Sequence, residues 1–307
     1  MLFRVAVWVA VVMGTVGCAA RSGTHTQNSA ATTHAQAPPS DSLTVFMDKV
    51  RAKSEQARPV TNRLRTLEAS DAAFAAALLA VSTQPTATNH REVAARYVRL
   101  GILDQAHEHF SAAVALDPTD AASWDGLARI WRDWGFPHLA LADAYRAVYY
   151  APDSPAVHNT LGTVLQALGK WPYARAQFEQ ALALDVTAAY ALSNLCYAWR
   201  LAGHASKAAD ACLQALQLQP GLETARNNLA LAYEAAGDLP SAFATLAAST
   251  DAARAAYNKG LLHLARREYR EALQSFDVAR TERPHFREAE AIARQVRAHL
   301  HDEGSHP

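Results

Sequence analysis

An all-α fold built from repeated helical hairpins is what this sequence predicts, and three observations predict it. Alanine is abundant while Val, Ile and Thr are sparse beyond the first residues, which favours helix over sheet. Glycines and prolines fall at intervals, as punctuation between helices rather than as one flexible tract. The strongest signal is a period: Ala106, Ala140, Ala174, Ala208 and Ala242 stand 34 residues apart without a slip, and Ala272 follows after 30. At 307 residues, half of them apolar, the chain is long enough to bury a sizeable core.

The chain opens on an address rather than on a fold. Met1 to Arg4 carries one positive charge, Val5 to Met13 is an uninterrupted apolar run, and Gly14, Thr15, Val16 and Gly17 lead to Cys18. The run is far short of the roughly 20 residues that a membrane-spanning helix needs. It resembles a bacterial lipoprotein signal, in which cleavage leaves a cysteine that receives a lipid on its sulfur. Thr15 departs from the aliphatic residue preferred three places before that cysteine, and an ordinary cleaved signal with an incidental Cys18 is the alternative. Ala19 and Ala20 follow in place of an acidic residue, so the resemblance implies the outer membrane. Residues 1–17 are thus expected to be a signal peptide. Residues 18–42, rich in Ser, Thr, Ala, Gln and Pro and without apolar periodicity, are expected to be an unfolded tether.

Residues 43–86 read as a helical segment, with Phe46 and Val50 four apart, a break at Arg58-Pro59, and a second helix from Asp71 to Val81 behind Ser70 as N-cap. Ala72 lies one period before Ala106, so this helix is a candidate for the decayed half of a further repeat. From Ala87 six units follow: Ala87 to Asp120, Ala121 to Ser154, Pro155 to Ala188, Ala189 to Leu222, a shortened Glu223 to Ala252, and Ala253 to about Phe286. The periodic alanine is residue twenty of each. Residues seven and eight are Val93-Ala94, Leu127-Ala128, Leu161-Gly162, Leu195-Cys196, Leu229-Ala230 and Lys259-Gly260. Residue twenty-four is Phe110, Ala144, Phe178, Cys212, Leu246 or Phe276. Residues four, seven, eight and eleven share one face of a first helix, and twenty, twenty-four and twenty-seven share one face of a second, so the two zip into an antiparallel hairpin.

The punctuation agrees. Gly135, Gly169, Gly203 and Gly237 occupy position fifteen, where the first helix must turn, and Pro137, Pro172 and Pro240 fall in the first turn of the second. Pro118, Pro152, Pro220 and Pro284 stop that second helix. The fifth unit lacks four residues, about one helical turn, so its second helix should end near Ser249 with Asp251 capping the next. A helix from about Arg287 to His301 would cap the open end, leaving residues 302–307 as a tail.

This pattern resembles the tetratricopeptide repeat family over about two-thirds of the chain. The resemblance implies that residues 87–301 form a right-handed α-solenoid of about six hairpins with a C-terminal capping helix.

Chemistry is sparse. The sequence has no nucleophile elbow, phosphate loop, dinucleotide fingerprint or HExxH pair, so no catalytic residue, metal ligand set, cofactor or small-molecule substrate is assigned. His107 and His109, two apart, lie on different faces of one helix. Lys plus Arg and Asp plus Glu are equal at 29 each, which argues against a nucleic-acid partner. Cys196 and Cys212 occupy positions eight and twenty-four of one hairpin, about one turn out of step. The reading preferred here is two small buried hydrophobes, with a disulfide as the alternative in an oxidising compartment.

The family builds its concave surface from residues two, five, nine, twelve and thirteen of each first helix. By that resemblance the groove would hold Arg91, Arg99, Arg129, Arg132, Asn159, Gln166, Tyr190, Tyr197, Arg200, Asn227 and Tyr257. Arg and Tyr are the side chains that most often anchor protein contacts. The family's carboxylate clamp, which grips a chain terminus, is disfavoured because Ala95 stands where its asparagine would be. The expected function is a non-enzymatic periplasmic scaffold anchored to the outer membrane, binding a protein or peptide partner in the groove. In architecture it is similar to the lipoproteins of tight-adherence (Flp) pilus assembly and to type IV pilus pilotins. An adaptor docking cell-wall hydrolases, or a solenoid covering a catalytic site, are the alternatives.

Overall fold

A computed structural model describes residues 71–249 and 251–304, with side chains to 301. The signal peptide, Cys18, the tether and the helix expected around Phe46 and Val50 lie outside the described residues. Within them there are fourteen α-helices and no strand: α1 (Ala72–Thr83), α2 (Ala87–Arg99), α3 (Leu103–Leu116), α4 (Ala121–Asp133), α5 (Pro137–Tyr150), α6 (Pro155–Ala167), α7 (Trp171–Leu184), α8 (Ala189–Leu201), α9 (Ala205–Leu218), α10 (Glu223–Ala235), α11 (Leu239–Ala247), α12 (Ala252–Ala265), α13 (Tyr269–Glu282) and α14 (Arg287–Gly304). The described residues divide into two compact units, 71–130 and 131–304.

In the unit 71–130, α1 packs on α2 and α2 pairs with α3. Asp71, not Ser70, caps α1: its Oδ1 accepts the backbone N–H groups of Ala73 and Phe74, both at 3.0 Å. The carboxylate wins because it can serve two of the donors that a helix start leaves unpaired. Phe74 then buries its ring edge-on against Tyr97, centroid to centroid 5.0 Å. In the unit 131–304, α6 pairs with α7, α8 with α9, α10 with α11 and α12 with α13, while α14 covers α13.

In the first five units the first helix begins at the residue that the period predicts, and in the sixth it begins one residue early, at Ala252, behind the cap of Asp251. The turns explain why. Gly101, Gly135, Gly169, Gly203 and Gly237 all have φ between +71° and +85°, and each closes its helix with the paired bonds of a Schellman motif. At Gly169, for example, the glycine N–H reaches Gln166 O and the Lys170 N–H reaches Leu165 O, both at 2.9 Å. Gly101, which the sequence reading passed over, makes the same motif. In the last hairpin Arg267 takes this position with φ of 63°, so the left-handed geometry is imposed there on a residue with a Cβ.

Close approach of the two helices is the rule at positions eight and twenty-four. A Cβ added to Gly162 would lie 2.4 Å from the ring of Phe178, and one added to Gly260 would lie 2.6 Å from Phe276. The small residue is the slot and the aromatic is its filling. Phe110 also presses on Gly126, the next first helix, at 2.5 Å by the same measure.

Cys196 and Cys212 meet at these two positions, and the preferred reading of two independent buried thiols is corrected: their sulfurs are bonded, with Cα atoms 5.4 Å apart. Both are fully buried. Positions eight and twenty-four are in step across the hairpin, not one turn apart, because the antiparallel helices bring them face to face. The bond takes the place of the glycine and phenylalanine of the neighbouring hairpin.

The fifth unit behaves as predicted. α11 has 9 residues against 14 for α9, and Asp251 caps α12 through the N–H of Arg254 at 2.9 Å. Arg283 pairs with the other oxygen of Asp251 at 2.6 Å. These contacts hold the carboxyl of Asp251 below its ordinary range, the cap hydrogen bond first among them. α14 runs to Gly304, slightly beyond its expected end.

Two outcomes are expected. Gly162→Ala should cost about 1–3 kcal/mol through overpacking, and Phe178→Leu in the same chain should recover much of it, a coupling that urea denaturation of the single and double variants would measure. Replacing Cys196 and Cys212 together by Ala should lower stability by about 3 kcal/mol, as the loop of 16 residues is released. Reductant should reproduce the loss in the wild type and do nothing further to the variant.

Candidate functional site

Stacking of the first helices uses part of the face expected to bind. Asn194 Nδ2 donates to Asn159 Oδ1 at 2.7 Å, Asn228 Nδ2 to the Ser193 carbonyl at 3.2 Å, and Asn258 Nδ2 to Asn227 Oδ1 at 2.7 Å. These bonds tie α6 to α8, α8 to α10, and α10 to α12. Two residues expected in the groove, Asn159 and Asn227, are therefore half-buried acceptors in this ladder. Arg132 is engaged as well, donating to Thr163 Oγ1 and to Asp133 Oδ1, each at 2.7 Å.

Tyr257 does not belong to the groove. It is 1% exposed, with its ring 5.7 Å from Phe276 and 5.0 Å from Phe286, so its place in the binding set is corrected. The aromatic side chains of the last hairpin and its exit turn draw the ring inward, and its hydroxyl has no hydrogen-bond partner. Burial, the largest influence, pushes the phenol up to about 12.

What remains centres on α8. Tyr190 is 41% exposed, and Tyr197 and Arg200 are half-buried, all three placed along one side of the helix by spacings of seven and three. The Arg200 guanidinium lies 5.1 Å from the centre of the Tyr197 ring, and Trp171, first residue of α7, lies 6.4 Å from the same ring. Trp171 was missed by sequence reasoning, although an aromatic opening a second helix beside the hairpin turn was a usable signal. Arg200 Nε and the Oε1 of Gln166 are both out of solvent and without a hydrogen-bond partner. An aromatic platform with an adjacent cation suits a polypeptide, which offers carboxylates and apolar side chains together.

In the unit 71–130 the expected residues differ in fate. Arg91 pairs at 2.8 Å with Asp120, whose carboxylate is buried and also accepts the Ser123 hydroxyl at 2.8 Å, so this arginine serves a structural contact. Arg99 is exposed. Arg129 is exposed and lies 3.8 Å from Asp125 one turn away, a weak surface pair.

His109, read from sequence as one of two histidines on different faces, turns out to meet a third. Its Nδ1 faces Nδ1 of His90 at 3.1 Å across the α2–α3 hairpin. One ring must donate and the other accept, so a second proton would set two N–H groups against each other. Burial first, and the charge of His90 second, hold His109 below its ordinary pKa, and burial does the same for His107. Among the described residues no group of three or more His, Cys, Asp or Glu gathers to hold a metal, and no helix is long and apolar enough to cross a membrane.

No protein-family model matches the sequence. Over 85 residues, 28% of this chain, it is 33% identical to the TPR repeat-containing thioredoxin TDX of Arabidopsis thaliana, and that stretch spans only 22% of the plant protein. Among solved structures, a tetratricopeptide repeat protein from Parabacteroides merdae superposes with a TM-score of 0.60 at 15% identity, over 77% of this chain and 96% of that one. PilW, described as a widely conserved type IV pilus biogenesis factor, superposes with a TM-score of 0.57 at 21% identity, over 67% of this chain and 97% of its own. The fold is that of the tetratricopeptide repeat solenoids.

The histidine pair gives a pH dependence of definite sign. With its folded pKa depressed, His109 binds fewer protons in the folded state than in the unfolded one. The stability this confers is fully present above the ordinary imidazole value of about 6.5 and is lost as the pH falls below that value towards and through the lower folded one. Hydrogen exchange in α3 should therefore accelerate as the pH falls below about 6.5, beyond the intrinsic change, and His109→Gln should flatten that dependence.

Proposed function

We propose that this chain is a periplasmic protein-binding scaffold, held at the outer membrane by a lipid on Cys18, that supports assembly of a pilus or secretion complex. It acts by binding rather than by catalysis. The observation that carries the binding reading is the cluster on α8 and α7: Tyr197 flanked by Arg200 at 5.1 Å and Trp171 at 6.4 Å, beside the exposed Tyr190. Solenoids commonly bind along the surface formed by successive repeats. The choice of an envelope machine draws on the signal-like first residues with Cys18, on the residues 18–42 that separate it from the helices, and on the similarity in fold to PilW.

Affinity capture from crosslinked cells tests both halves. Tyr197→Ala with Arg200→Ala should reduce recovery of the partner by roughly thirtyfold in apparent affinity, as loss of an interface anchor does, while the melting temperature stays near that of the wild type. Cys18→Ala should abolish incorporation of labelled fatty acid and release the protein from the membrane fraction. Unchanged capture by a folded double variant would remove the groove from the proposal, and unchanged lipid labelling would remove the anchor.

A further inference from the structure

Along the array, arginines are commonly answered by a carboxylate: Arg91 meets Asp120 at 2.8 Å, Arg146 meets Asp143 at 2.9 Å and Arg283 meets Asp251 at 2.6 Å. From α7 to α9 the cations rest on aromatic rings instead. Arg200 lies 5.1 Å from the centre of the Tyr197 ring, while Arg175 and Lys207 lie 4.4 and 4.6 Å from the centre of the Trp199 ring. The two groups adjoin, because Trp171, 6.4 Å from Tyr197, stands one turn before Arg175 on α7. Arg200 and Lys207 pair with no carboxylate among the described residues, and Arg175 has Glu179 one turn away at 4.0 Å, a weak surface pair.

Rings and carboxylates hold cations to different effect. A carboxylate cancels the charge it meets, whereas the quadrupole of a ring attracts a cation and carries no net charge of its own, so the positive charge stays available. A guanidinium lying on a ring also keeps N–H donors at its edge with which to grip a carboxylate through two parallel bonds. Three cations are thus held in place before a partner arrives, which lowers the ordering cost of binding. Acidic and basic residues are equal at 29 each in the whole chain, so this excess is local. Tyr197, Trp199, Arg175 and Arg200 are half-buried, a recess that admits a single polypeptide chain more readily than a flat bilayer.

We propose that the polypeptide segment taken by the α8 site is acidic, with one side-chain carboxylate on Arg200 beside Tyr197 and a second on Arg175 and Lys207 at the rim of Trp199. Recognition is of side-chain carboxylates within a segment, so the partner's chain terminus is not needed. Trp199, Arg175 and Lys207 thereby join the site, and Lys207, exposed on the first turn of α9, takes part through its charge alone. The inference rests on the binding role proposed for the α8 cluster and adds the charge of what is bound.

The test is a titration of the full chain, labelled at the tryptophan indole nitrogen, with acetyl-Glu-Glu-Phe-Glu-Glu-amide and its counterpart acetyl-Gln-Gln-Phe-Gln-Gln-amide, followed by NMR. The acidic peptide should shift the indoles of Trp171 and Trp199 and bind about tenfold more tightly than the glutamine peptide, a margin that should shrink as salt screens the charges. Arg200→Gln and Lys207→Gln should each weaken the acidic peptide by roughly threefold and together erase its margin, while leaving the glutamine peptide unaffected. Lys259→Gln, which removes a cation held 5.6 Å from the Phe243 ring outside the site, should change neither. Lys207 is exposed, so its variant keeps the test decisive even if Arg200→Gln perturbs folding. Equal binding of the two peptides overturns the proposal and leaves the binding role of α8 standing. Absence of shifts with the acidic peptide overturns it as well, and the binding role is then judged on partner capture alone. Phosphatidylglycerol vesicles that shift the same two indoles as strongly as the acidic peptide would assign the cations to a membrane, which also overturns it.

Discussion

The separation of the two helices in each hairpin is set by what stands between positions eight and twenty-four, and much else follows from it. Where position eight is Gly162 or Gly260, the helix backbone leaves a slot that only the opposing ring of Phe178 or Phe276 fills. Where both positions are cysteine, the two sulfurs fill the same space and lock it covalently. The alanines at position twenty, all fully buried, permit the approach on the next turn. A hairpin closed in this way still exposes apolar flanks, which is why α14 covers the last of them with Ala289, Ala293 and Val296.

The repeat was legible because its marks are local. Glycine at position fifteen, proline in the first turn of the second helix, Asp251 at a cap and the four missing residues of the fifth unit each act through the backbone nearest to them. A 34-residue count therefore placed them without knowledge of any neighbour. The features that were not legible depend on which distant side chain arrives. Tyr257 has the sequence position of a groove residue but lies beside Phe276 and Phe286, and Asn159 and Asn227 meet asparagines of the next unit. The histidine pair His90 and His109 spans 19 residues and two helices, a distance over which helical periodicity alone says nothing about facing.

The same distinction separates structural from binding residues on the first helices. Arg91 answers a buried carboxylate and Arg132 a threonine of α6, the first helix of the next unit, so their charges are directed into the stack. Tyr197 and Arg200 instead meet each other and Trp171, with polar atoms left over. Composition favoured all of them equally as anchors. Only the neighbours decide which ones the fold has already consumed.

The bond between Cys196 and Cys212 has a mechanical consequence. A chain drawn out from both ends can extend only along its covalent path, and the link removes the 16-residue loop from that path. At the reach of an extended residue, the oxidised chain has a contour shorter by about 50 Å than the reduced one. Tension transmitted through α8 and α9 therefore passes across the sulfurs and bypasses the turn at Gly203, so the middle of the array stays gathered while hairpins without such a link pay out to their full length.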